Sequence, residues 1–306
     1  MRSVQTTTIA GQRFVFTKHS PSGAASDLAL VLFNGGQVPR DGHAGLNVRL
    51  ADTAAACGLS AYRVDLPGLG DAPGPLPTTA AEFWHANALG LQTEAALQVL
   101  SHLQAQAPHQ RLLVGGLCGA ANNALFCAAR RPGLIQGLVL IEPELFFGAA
   151  PGSAAAERTP ERAHAWLPKL CSRQAWLRLL TSENRYTRSR PVLRRLLMAM
   201  APRAVLLGGS TNGPLAEAFA SACHAGLPML CILALDGRRA LHVERVERTL
   251  IPRRARALLD KEMLAGTNHV LTEGGAIERC AHALERWLSR RWSSPGPVPG
   301  ASAQRV

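Results

Sequence analysis

The chain has 306 residues, of which 47% are hydrophobic and 18% charged, a composition that excludes a disordered or collagen-like protein and allows a large buried core. No apolar run approaches the ~18 residues needed to cross a bilayer, and the opening Met1-Arg2-Ser3-Val4-Gln5-Thr6 has no apolar signal core, so a cytoplasmic protein that does not span a membrane is expected. The seven cysteines are odd in number and form no CxxC pair, which points away from disulfides and from a zinc site and toward reduced thiols, with no metal or cofactor expected.

The pattern predicts a short opening hairpin, Gln5 to Ala10 and Arg13 to Lys18, turning at Ala10-Gly11-Gln12. Leu28 to Phe33 is a continuous apolar run, the mark of a strand buried on both faces. A helix from Leu46 to Ala56, a strand from Ser60 to Leu66 and a single long helix from Ala80 to Gln104 follow. Strand Leu112 to Gly115 then runs through Gly116-Leu117-Cys118-Gly119-Ala120 into a small-residue helix ending at Ala129, and Gly137 to Ile141 is the next strand. Strands alternating with helices predict an α/β fold with a mostly parallel sheet.

From about residue 147 to 226 the alternation gives way to a helical, Arg-rich pattern, expected to be a cap inserted into the core. The net charge of +12 concentrates here, because Gly148 to Gly226 carries eleven Lys or Arg against four Glu. A basic surface attracts anions, and a solvated helical face is the alternative. Alternation resumes with strand Met229 to Leu235, a helical segment near Leu241 to Leu259, a short strand around Glu262 to Ala265 and a helix from Ala276 to Trp292. The expected division is therefore a core in two parts (1–146 and 227–292), a helical basic cap (147–226) and a disordered Pro, Gly and Ser-rich tail (293–306).

Cys118 stands at the apex of a strand-to-helix turn flanked by glycine, where a nucleophile is presented. A free cysteine is otherwise a small buried hydrophobe, the default for the other six. The helix N-terminus behind Cys118 is expected to lower its pKa from ~8.5. His269 is the candidate proton acceptor, Asp236 its orienting acid, and Glu142 the substitute acid. An oxyanion hole is expected from the backbone N–H of Gly119 and of either Gly36 or Gln37. Asp65 to Asp71 reads as a structural turn.

The segments Phe33-Asn34-Gly35-Gly36, Pro39-Arg40-Asp41-Gly42, Arg63-Val64-Asp65-Leu66-Pro67-Gly68-Leu69-Gly70-Asp71 and the Gly-Leu-Cys turn resemble α/β-hydrolases found with bacterial exopolysaccharide and exosortase systems. The resemblance covers most of residues 28 to 146 and resumes near His269. It implies an α/β-hydrolase fold, a nucleophile elbow at Cys118 and a general base at His269. The family's Gly-Leu-Cys-Ser-Gly-Ala reads Gly-Leu-Cys-Gly-Ala-Ala here, with Ala120 where glycine is usual. Relatives often place an acid where this chain has Arg238 and Arg239.

The expected activity is hydrolysis or acyl transfer on an ester or thioester through a covalent acyl-enzyme. The substrate is a small-molecule or carrier-bound acyl compound that the basic cap would favour as an anion, and no specific nucleic acid partner is expected. Two alternatives remain. One is a catalytically inactive hydrolase-fold binding partner in a biosynthetic assembly. The other is a dinucleotide-binding oxidoreductase, with Val114 to Gly119 under the phosphates and Glu142 at the ribose, although GxGxxG would need glycine at Val114.

Overall fold

A computed structural model describes residues 1–21, 23, 25–147, 211–235 and 237–292. Most of the expected cap (148–210), Asp236 and the tail (293–306) lie outside the described residues. Eight strands form one sheet: β1 (Arg2–Ile9), β2 (Gln12–His19), β3 (Leu28–Phe33), β4 (Ser60–Asp65), β5 (Arg111–Leu117), β6 (Ile135–Ile141), β7 (Met229–Ala234) and β8 (Leu259–Leu264). Their order is β1-β2-β4-β3-β5-β6-β7-β8. The opening hairpin pairs antiparallel and β2 pairs antiparallel with β4, whereas every pairing from β4 to β8 is parallel.

Seven α-helices are described: α1 (Leu46–Ala56), α2 (Ala80–Ala88), α3 (Thr93–Gln106), α4 (Gly119–Arg130), α5 (Gly213–His224), α6 (Arg238–Leu250) and α7 (Ala276–Trp292). All six residues of β3 are buried, as expected of a strand covered on both faces. Leu28, Leu30 and Leu32 point into a core shared with α1 and α7, in which Trp287 is fully buried. The alternate residues Ala29, Val31 and Phe33 face the other way. The chain divides into two compact units, one of Met1–Leu145 with Pro214 onward and the other of Phe146–Gly213.

Two expected helices differ. The long helix from Ala80 to Gln104 is two helices, α2 and α3. Gly90 takes φ +81° between them, and Leu91 N–H bonds back to Ala86 O at 2.9 Å, the pairing of a Schellman stop. A capping box fixes the other end of α2, where Thr79 accepts from Glu82 N and Glu82 accepts from Thr79 N. The helix expected from Leu241 to Leu259 begins earlier, at Arg238, and stops at Leu250, because Pro252 follows and a 3-10 turn (Arg253–Arg256) leads into β8.

In a parallel sheet the strand ends share one edge, so the loops after β3, β5, β6, β7 and β8 all emerge together. Cys118, His269, Gly36, Gln37 and Glu142 all lie in those loops. Topology alone therefore gathers candidates spread over more than 230 positions of sequence.

Candidate active site

The turn after β5 is tightly built. Gly116 has φ +145°, and a methyl group on it would stand 2.6 Å from Ala120 Cβ and 2.9 Å from Phe33 O. Only glycine fits there. Cys118 follows at φ +57°, ψ −115°, a region that costs a non-glycine residue about 1–3 kcal/mol and is held by its surroundings. Its N–H donates to Ile141 O at 2.8 Å and its carbonyl accepts from Asn122 N–H at 3.1 Å, which pins the turn between β6 and α4. The side chain is half-buried.

Arg239, in the first turn of α6, reaches the sulfur. Its Nη2 lies 3.8 Å from Cys118 Sγ and donates to Glu144 Oε1 at 2.8 Å, while Nη1 donates to Glu142 O at 2.7 Å. The guanidinium thus ties the end of β6 to the thiol. Burial, with Glu144 adding to it, pushes the Cys118 thiol up to about 11, against the opposing pull of Arg239 and of a hydrogen bond from Gly119 N–H. This corrects the expectation of a lowered pKa. The helix N-terminus does act through Gly119, but desolvation outweighs it.

His269 lies in the loop after β8, which Asn268 and Glu273 brace. Asn268 Oδ1 accepts from Val270 N at 3.1 Å, and Glu273 Oε2 accepts from Asn268 N at 2.7 Å. Burial of the ring, then the Arg239 charge, hold His269 below its ordinary value, with Glu144 opposing. The residue as a whole is exposed, so its ring is only partly withdrawn from water. That shift favours the neutral ring, the form that accepts a proton. No hydrogen bond joins His269 to Cys118 or to Glu142 among the described residues.

Asp236 lies outside the described residues. Glu142 is 1% exposed and adopts φ +51°. Its Oε1 accepts from Ala234 N at 2.5 Å, and Oε2 has no hydrogen-bond partner and lies 3.9 Å from Arg239 Nε. Burial raises its pKa. The described contacts of this carboxylate are therefore to the end of β7 and to Arg239, and none is to His269.

Gly36 is buried and Gln37 exposed in the loop after β3. The neighbouring Gly35 backbone lies against the Leu117 carbonyl, which brings that loop beside the elbow. Asn34 braces it, donating to Val38 O at 3.1 Å and accepting from Leu66 N at 3.2 Å. Asp65 is fully buried; it accepts from Arg40 N at 2.6 Å, from Arg40 Nη1 at 2.5 Å and from Asp71 N at 3.0 Å. Its carboxylate organises two turns, in keeping with the structural reading. Arg239 and Glu144 were not among the sequence candidates. The only sign of them was the basic pair where relatives have an acid.

No family model matches the chain, and no curated protein matches it. Solved structures do match in fold. An α/β serine hydrolase homologue from Coxiella burnetii aligns with a TM-score of 0.56 and 11% identity, covering 93% of this chain and 96% of that one. Dienelactone hydrolase from Anabaena variabilis aligns at 0.55 and 15%, over 95% and 97%. The thioesterase domain of the curacin biosynthetic pathway aligns at 0.54 and 14%, over 94% and 99%. With the eight-stranded sheet, these show that the chain has the α/β-hydrolase fold. At such identities they carry the fold alone.

Proposed function

We propose that the protein hydrolyses or transfers the acyl group of an ester or thioester, with Cys118 as nucleophile, His269 as general base and Asp236 as the acid that orients it. The observation that carries this reading is the backbone of Cys118: a non-glycine residue held at φ +57° at the apex of a strand-to-helix turn. A merely buried cysteine has no need of that strain. A thioesterase and a dienelactone hydrolase are among the proteins of similar fold.

Cys118 Sγ attacks the carbonyl carbon as His269 takes the thiol proton, and the carbonyl π pair moves onto oxygen. That oxyanion accepts from the N–H of Gly119 and of Gly36 or Gln37. Collapse re-forms the carbonyl and expels the alkoxide or thiolate, which takes the proton from His269 and leaves a thioester on Cys118. Water, or an acceptor alcohol or amine, then attacks the thioester with His269 again as base, and the Cys118 thiolate leaves and takes the proton back from His269. Because the thiol is protonated at pH 7, proton removal must accompany attack, which makes His269 more important than in a preformed thiolate pair. The basic segment favours an anionic or carrier-bound substrate, and the resemblance to exopolysaccharide-associated hydrolases suggests a biosynthetic setting.

A second reading, an inactive binding partner in an assembly, draws support from the high thiol pKa and from the lack of a Cys118–His269 hydrogen bond among the described residues. Incubation with a panel of activated acyl esters separates the two. Catalysis requires an acyl adduct on Cys118 and its loss in Cys118→Ala, whereas a binding partner gives no adduct.

A further inference from the structure

Gly119 follows the proposed nucleophile and opens α4. A methyl group there would fall on the Asn87 carboxamide, 2.6 Å from its Cγ and Oδ1 and nearer still to Nδ2. The volume that a side chain beside the nucleophile would fill is thus held by a side chain from another helix. Asn87 is 3% exposed, yet its Nδ2 has no hydrogen-bond partner. A buried N–H left unpaired costs about 1–3 kcal/mol, so its retention calls for a partner that arrives later.

Asn87 is firmly delivered to this place. It sits in the last turn of α2, whose start is closed by the Thr79–Glu82 capping box and whose end is closed at Gly90. Thr93 Oγ1 donates to Gly90 O at 2.7 Å and fixes the turn that follows. Helix α2 packs against α4. An amide donor on a rigid element, beside N–H groups of a helix N-terminus that have no partner within the helix, is the arrangement that binds developing negative charge.

We infer that the Asn87 carboxamide is a further catalytic residue. Its Nδ2–H donates to the acyl carbonyl oxygen attacked by Cys118 and supplements the Gly119 N–H as charge develops there. The inference rests on the reading of Cys118 as the nucleophile. It also gives Gly119 a reason to lack a side chain, since any other residue would displace the donor.

Two reagents separate the possibilities, because acylation passes through an oxyanion whereas alkylation by iodoacetamide displaces iodide and forms none. The test compares Cys118 acylation by p-nitrophenyl acetate with Cys118 alkylation by iodoacetamide in wild type, Asn87→Leu and Asn87→Ala, with circular dichroism to confirm folding. Two variants of different size guard against loss of one fold. Acylation should fall by about a hundredfold or more while alkylation stays within about twofold, the order expected for losing an oxyanion donor. Equal losses in both reactions, or none in either, overturn the assignment and leave Asn87 as packing. A wild type that alkylates at Cys118 but takes no acyl group overturns the nucleophile reading itself, and this assignment with it.

Discussion

Replacing Arg239 by Met removes the one described cation in contact with the Cys118 sulfur, at 3.8 Å from Nη2. Opposite unit charges about 4 Å apart attract by about 1 kcal/mol at the dielectric of water and about 4 kcal/mol at an effective dielectric of 20. The Arg239 side chain is 21% exposed, so the site lies between those limits. Since ~1.4 kcal/mol corresponds to a tenfold change in proton affinity, the thiolate should become about ten times rarer or more at a given pH below the thiol's titration near about 11. Loss of Arg239 also takes its guanidinium away from the Glu144 carboxylate, whose charge disfavours the thiolate, and so acts in the same direction. The assay is the rate of Cys118 alkylation by iodoacetamide against pH, read by peptide mapping. At about pH 8.5, Arg239→Met should alkylate at least about tenfold more slowly than wild type. Arg239→Lys should recover much of that loss, and Glu144→Gln should alkylate faster than wild type. An Arg239→Met protein that is folded and titrates like wild type, or lower, refutes the electrostatic argument.

Other outcomes follow from the same site and core. His269→Ala should lose nearly all turnover, while Asp236→Asn should lose less because the acid only orients the imidazole; equal steady-state rates in wild type and His269→Ala contradict the general-base role. Burial pushes Cys127, Cys223 and Cys280 each up to about 12. The native state therefore keeps protons that unfolded thiols release above ~8.5, and stability should fall as pH rises from there, by up to ~1.4 kcal/mol per pH unit for each thiol. Urea midpoints at about pH 8 and pH 10, in wild type and Cys280→Ala, check this: the substitution should flatten the slope, and identical slopes would count against it. The basic segment from Arg158 to Arg203 predicts that kcat/KM for an anionic thioester falls as ionic strength rises past ~0.1 M while a matched neutral thioester barely responds. Equal salt responses would make that charge a solvated face.

Where one signal dominated, the fold was legible in the sequence. Leu28–Phe33, Leu46–Ala56 and Ala276–Trp292 have the expected bounds, because an unbroken apolar run or a long amphipathic period leaves little choice. The break between α2 and α3 was missed because apolar residues continue through Leu89 and Leu91, which are in fact 40% exposed, while Gly90 turns the chain. The elbow was readable from its small residues. The thiol's titration was not, since burial and the Glu144 charge come from segments distant in sequence and outweigh the local helix effect. The Arg239–Glu144 pair and Asn87 were hidden for the same reason. An arginine after a strand and an asparagine in an apolar helix look like surface residues until the sheet edge brings them to the elbow.

The central claim is that Cys118 carries an acyl group. Intact-protein mass spectrometry after brief exposure to p-nitrophenyl acetate, followed by peptide mapping, measures it directly. One acetyl group on Cys118 is predicted, absent in Cys118→Ala and formed far more slowly in His269→Ala because attack by the protonated thiol needs the base. A folded wild-type protein that shows no adduct on Cys118, or the same adduct in Cys118→Ala, would contradict it.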